Sequence, residues 1–140
     1  MAVFQHNDLP AHKLPRITTR VLVDLASGAA SSTVWEQWIS PDGFIPLHYH
    51  DVEEVLVILA GAVELIHGEN RTVVESSASI LIPPRELHAL KPEGAAEVHL
   101  LAFFPVVSPT IFAPDGSVRP LPWEDEQATW DPRRRLKDLR

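Results

Sequence analysis

The chain has 140 residues, 45% of them apolar and 22% charged, which fits one globular domain with a single sizeable core. Residues 123–140 carry five acidic and five basic side chains, so the net charge of -7 lies in residues 1–122, and an acidic body argues against nucleic acid or an anionic membrane as partner. Cysteine is absent, which removes disulfides, iron–sulfur clusters and thiol catalysis, and no run approaches the ~20 apolar residues of a membrane span.

The first residues, Met1 to Asp8, lack the charged-then-apolar order of a secretion signal, so the cytoplasm is the expected compartment. Residues 1–17 read as an N-terminal arm in which His6 and His12 have no site role. Short apolar or alternating runs then recur at 18–25, 32–40, 44–50, 54–60, 62–67, 71–75, 78–82, 88–91 and 96–104. Turn residues punctuate them at Pro41-Asp42-Gly43, Gly61, His67–Asn70, Pro83-Pro84 and Pro92-Glu93-Gly94. With no helical pattern between them, these runs predict an all-β antiparallel sandwich or small barrel. After Phe104 six prolines, from Pro105 to Pro132, predict an irregular arm across the surface with room for a short terminal helix. Trp123 and Trp130 are too large to leave in water and are expected to cover the barrel or a partner subunit. The basic run Arg133–Lys137 reads as a solvated or salt-bridged helix face.

Four residues point to chemistry. His48 and His50, one residue apart, share a face of a strand, Glu54 keeps that parity four residues on, and His88 arrives from a separate segment. Three imidazoles and a carboxylate suit one divalent ion of Fe, Mn, Ni, Co, Cu or Zn. Glu53 faces the other way from Glu54 and belongs to the rim. The wall around the ion should come from Leu56, Ile58 and one face of the 32–40 strand, either Trp35 with Gln37 or Glu36 with Trp38; the register stays open. Tyr49 faces away from the ion. His99 is expected in a hydrogen-bonded packing role, with a place beside the pocket or behind the ligands as its alternative. A mainly apolar wall suits a small organic ligand.

The stretch from Gly43 to Gly61, containing His48, His50 and Glu54, resembles the first motif of the cupin superfamily, with four rather than five residues between Gly43 and His48. The stretch from Ser77 to Pro92 resembles the second motif. There Pro83 and His88 are in place, while Ser77, Arg85 and Pro92 stand where the family prefers glycine, glycine and asparagine. A non-glycine at 85 predicts either a turn without positive φ or a mildly strained one, with a guanidinium near the barrel mouth that makes a surface salt bridge or, as the alternative, meets an anionic substrate group. The resemblance implies a double-stranded β-helix, or jelly-roll, barrel over residues 18–104, flanked by the arms 1–17 and 105–140. It also implies one metal held by three histidines and a glutamate, and a homodimer. Up to two positions on an octahedral ion stay open for substrate, water or dioxygen. The expected function is a metal-dependent enzyme, dioxygenase-like (an oxidoreductase) or lyase- or isomerase-like, acting on a small organic molecule in the barrel. The alternative is a small-molecule-binding module without turnover. A metal-independent sugar epimerase would not need all four ligands.

Overall fold

Strands form where β-branched and aliphatic residues alternate. The computed structural model describes residues 1–121 and 123, and among them it contains twelve strands. They are β1 (Ala11–Leu14), β2 (Ile17–Val23), β3 (Thr33–Ile39), β4 (Ile45–His48), β5 (Glu54–Ala60), β6 (Ala62–His67), β7 (Asn70–Glu75), β8 (Ala78–Ile82), β9 (His88–Pro92), β10 (Val98–Phe104), β11 (Ile111–Phe112) and β12 (Val118–Arg119). A six-stranded antiparallel sheet runs β1-β2-β3-β10-β5-β8, a four-stranded one β4-β9-β6-β7, and β11 and β12 form a separate hairpin. The only helical segments described are short 3-10 turns at His6–Asp8 and Leu25–Ser27. No helix among the described residues is long and apolar enough to cross a membrane.

Period-two alternation sets which side chains enter the space between the sheets. On β5 Leu56 and Ile58 are buried with Glu54, and on β10 Val98, Leu100, Ala102 and Phe104 are buried. These join Ile17, Trp35, Ile39, Val63, Ile82 and Leu90 in one apolar core. The pairing of β3 with β10 sets Trp35 opposite Ala102 and Gln37 opposite Leu100, so Trp35 and Gln37 face inward. Glu36 and Trp38 therefore belong to the outer face. On the outer side of β5 and its neighbours Leu59, Leu81 and Phe103 are exposed.

The arms are more structured than their composition predicts. Residues 11–14 form an edge strand on β2, joined to it by a tight turn in which Arg16 takes φ of 72°. Ala11-His12-Lys13-Leu14 offers no β-branched residue, and an edge strand needs only one good partner. Beyond Phe104, the β11–β12 hairpin is bridged to β4 through mutual backbone hydrogen bonds of 3.0 and 2.9 Å between Tyr49 and Phe112. Trp130, the run Arg133–Lys137 and the expected terminal helix lie outside the described residues.

Gly61 is where the chain leaves one sheet for the other. Its φ is +81°, and a Cβ there would stand 2.7 Å from the carbonyl oxygen of Glu97. Gly68, in the β6–β7 turn, has φ of +60° but nothing within 4 Å of its Cβ position. Denaturant titration is expected to show Gly61→Ala destabilised by about 3 kcal/mol, from strain plus a backbone clash. Gly68→Ala, carrying the strain alone, should lose only about 1 kcal/mol.

Candidate metal centre

His48 ends β4 and His88 begins β9, and the two stand directly opposite each other across that ladder. His50 follows the bridge at Tyr49, and Glu54 opens β5. All four side chains are buried, and one ligand atom from each lies within 4.8 Å of the others. The Glu54 Oε1 atom is 3.1 Å from His88 Nε2 and 3.7 Å from His50 Nε2. Phe104 closes one side, its ring edge-on to His50 with centroids 4.8 Å apart.

The other nitrogen of each imidazole fixes its tautomer. His48 Nδ1 lies 2.7 Å from Pro46 O, His50 Nδ1 2.8 Å from Thr110 O, and His88 Nδ1 2.8 Å from Glu86 O. A carbonyl oxygen can only accept, so each Nδ1 donates its proton, and in a neutral ring the Nε2 lone pair is left aimed inward. Three such lone pairs facing a carboxylate in a buried site repel one another unless a cation lies between them. The donor set fits a divalent ion, with nitrogen and oxygen ligands and every imidazole anchored from behind.

The protonation tendencies agree. Burial holds His48 well below the ordinary imidazole range, reinforced by His88 and His50, and burial lowers His50 against the pull of Glu54. Burial opposes protonation of His88 too, but the hydrogen bond and charge of Glu54 outweigh it, and its pKa is raised. Without metal, a proton on His88 is the cation nearest the carboxylate.

A family model for the cupin domain matches residues 35–104, half of the chain, and takes in all four of these residues. The chain belongs to the cupin family. The fold is shared with solved structures. The polyketide cyclase RemF from Streptomyces resistomycificus aligns with a TM-score of 0.70 and 24% identity, covering 94% of this chain and 89% of that one. KdgF from Halomonas sp. aligns with a TM-score of 0.63 and 11% identity, covering 74% of this chain and 94% of that one. An oxalate decarboxylase from Lactobacillus farciminis gives 0.70 and 18%; 80% of this chain is covered but only 35% of that one. A search of curated proteins found no match.

The pocket of this cupin opens onto the four ligands. Its walls are largely apolar, from Leu14, Ile17, Ile45, Leu56, Leu90 and Ile111 among others, with Trp35 and Trp123 at one side. Trp123 meets Trp35 edge-on at 5.2 Å and stacks on His12 at 5.3 Å, so His12 is a structured neighbour of the mouth rather than part of a loose lead. Gln37 also lines the pocket. Ile58 does not; it points inward but lies deeper, in the core.

Two alternatives that the sequence left open are resolved against a place in the pocket. Arg85 does adopt a left-handed φ of 67°, and its backbone N–H donates to His50 O at 2.7 Å, but its side chain is exposed and lines no part of the pocket. The guanidinium at the mouth belongs to Arg119 of β12, whose Nη1 donates to Leu47 O at 3.1 Å. His99 is also outside the pocket, because it alternates with the inward Val98 and Leu100. It lies on the outer face, stacked on Trp38 at 5.0 Å, with Nε2 2.8 Å from Glu36 Oε2. The lining residues missed from sequence include Leu14, Ile17 and Thr19 near the N-terminus and Ile45 and Leu90 in the barrel, and a further group, Ile111, Arg119 and Pro120, comes from the C-terminal arm with the His50 partner Thr110. Ile111-Phe112 and Val118-Arg119, flanking the Pro-Asp-Gly-Ser turn, are the hairpin signal that marked this last group.

Metal loading must expel the His88 proton wherever His88 is protonated. Since its folded pKa is raised, affinity should climb about tenfold per pH unit on the acid side and level off above that pKa, with about one proton released per ion. Competition against a chromophoric chelator across a pH series measures this. For the outer-face histidine, His99→Ala should leave metal content unchanged while lowering stability by about 1–3 kcal/mol, since the buried Glu36 loses its donor. Metal analysis and thermal unfolding of one preparation test both parts.

Proposed function

We propose that this cupin is a metal-dependent enzyme that binds a small, mainly apolar organic molecule by its oxygen atoms at the metal and converts it inside the barrel. The observation that carries the reading is the three-fold anchoring of imidazole Nδ1 on backbone carbonyls beneath an apolar pocket. A bound divalent ion supplies a Lewis acid that draws electrons from a coordinated carbonyl or enol oxygen and, if redox-active, a route for electron transfer.

What the chain itself contributes is orientation, dryness and charge. Leu56, Leu90, Ile45 and Trp35 exclude water and strengthen every electrostatic interaction at the pocket floor. Arg119 adds a positive charge at the mouth, where it also disfavours protonation of His48. Among the described lining residues no carboxylate or imidazole stands beyond the four ligands. Glu36 and His99 lie on the outer face and Glu53 is exposed, so none is placed to move a substrate proton. Chemistry that develops negative charge on a coordinated oxygen fits this lining better than chemistry needing a separate general base. That favours lyase, isomerase or cyclase reactions, and the names of two structural relatives, a polyketide cyclase and an oxalate decarboxylase, run in the same direction.

The test is metal content and turnover together. Protein purified without chelators or an affinity metal should retain about one divalent ion per chain, and His88→Ala should lose it along with any activity toward enol and diketone substrates. Zinc, manganese, nickel or cobalt in the native protein supports the non-redox classes, and iron moves the assignment to an oxygenase. If native and mutant hold equal metal, the four-ligand centre is wrong. A metal-loaded protein that binds such molecules without converting them is a binding module.

A further inference from the structure

Apart from the metal ligands, the described lining of the pocket has three polar side chains: Thr19, Gln37 and Arg119. Thr19 and Gln37 are cross-strand partners on β2 and β3, and the Gln37 amide nitrogen donates to the Thr19 hydroxyl at 3.1 Å. That bond uses one amide proton and one hydroxyl lone pair. The Gln37 carbonyl, its second amide proton and the Thr19 hydroxyl proton remain, and among the described residues no other side chain engages them. Thr19 is buried at 3% exposure and Gln37 is half-buried, and both line the pocket, so the hydroxyl is shut off from bulk water while the amide reaches it only in part.

On the same inward faces stand Ile17 and Ile39, residues that suit a half-buried strand. An amide and a hydroxyl at the neighbouring positions weaken an apolar wall by roughly 1–3 kcal/mol per unmatched group. We propose that Gln37 and Thr19 form a second polar subsite, which receives a neutral hydroxyl or ketone oxygen on the far end of a metal-chelating ligand. The proposal rests on the reading of the site as a chelating centre and names the class of ligand it takes. Gln37 carries no charge and offers both donor and acceptor, which matches an alcohol, phenol or ketone and gives a carboxylate no countercharge.

Register sets the span. Gln37 and Ile58 are both opposite Leu100, and Ile58 is four residues along β5 from Glu54. Four strand rises are roughly 13 Å along the sheet and β3 stands roughly 10 Å across β10 from β5, a gap that the reach of the two side chains and the curl of the sheet shorten. That separation suits a skeleton of two fused or linked rings with oxygens at both ends.

Two probes with one chelating head separate the claims: naphthalene-2,3-diol, and naphthalene-2,3,6-triol, which adds a distal hydroxyl. Cobalt(II)-loaded protein would be titrated with each and followed by its visible absorption. The native protein should bind the triol about tenfold more tightly than the diol. Gln37→Leu should bring the two affinities within about twofold by weakening the triol alone, with metal content and diol binding unchanged. Thr19→Val, which keeps the side-chain shape, should reduce the preference in the same direction. Equal binding by the native protein, or a preference that survives Gln37→Leu, overturns the subsite while leaving the metal centre standing. If neither probe perturbs the cobalt spectrum, the chelating centre itself is overturned, and the subsite with it.

Discussion

The structure turns on a mutual dependence between four buried polar side chains and the backbone around them. Each imidazole donates its Nδ1–H to a backbone carbonyl, so in the neutral rings three Nε2 lone pairs and one carboxylate must share a space smaller than 5 Å across. Such a set is stable in an apolar interior only if something positive joins it. The architecture supplies the convergence. The β4–β9 ladder sets His48 against His88, His50 follows β4 on the way to β5, and the first residue of β5, paired with the edge strand β8, presents Glu54.

The same two sheets divide labour between their faces. Inward residues of β2, β3, β5 and β9 make a dry chamber above the ligands, and outward residues handle charge independently. The cluster of Arg20, Glu36, Trp38 and His99 illustrates this: Glu36 is nearly as buried as the metal ligands, yet its partners are His99 at 2.8 Å and Arg20 at 3.6 Å on the far side of the sheet. One residue of parity separates a wall of the pocket from a salt-bridged exterior.

That parity explains what was legible in the sequence. Alternation and turn residues were enough to place nine of the strands, and spacing alone put His48, His50 and Glu54 on one face and rejected Glu53. The choice between Trp35 with Gln37 and Glu36 with Trp38 was not legible, because both faces of β3 carry one tryptophan and one polar residue. Only the strands on either side break that tie. His99 was ambiguous for the same reason, in a strand apolar on both faces. The C-terminal arm was hardest, since prolines erase periodicity; its contribution depends on a two-residue bridge between Tyr49 and Phe112, a long-range pairing with almost no local signal. The dipeptides on either side of its Asp-Gly turn were visible as letters, but not the place where they would dock.

The three groups that orient the histidines are main-chain carbonyls of Pro46, Glu86 and Thr110, not side chains. A peptide oxygen is encoded by the path of the chain and survives replacement of the residue that carries it. Drift at 86 or 110 can therefore alter the rim of the barrel, or its selectivity, without disturbing the coordination behind it. A centre braced in this way leaves the pocket free to diversify in evolution while the ion-binding core is inherited with the backbone.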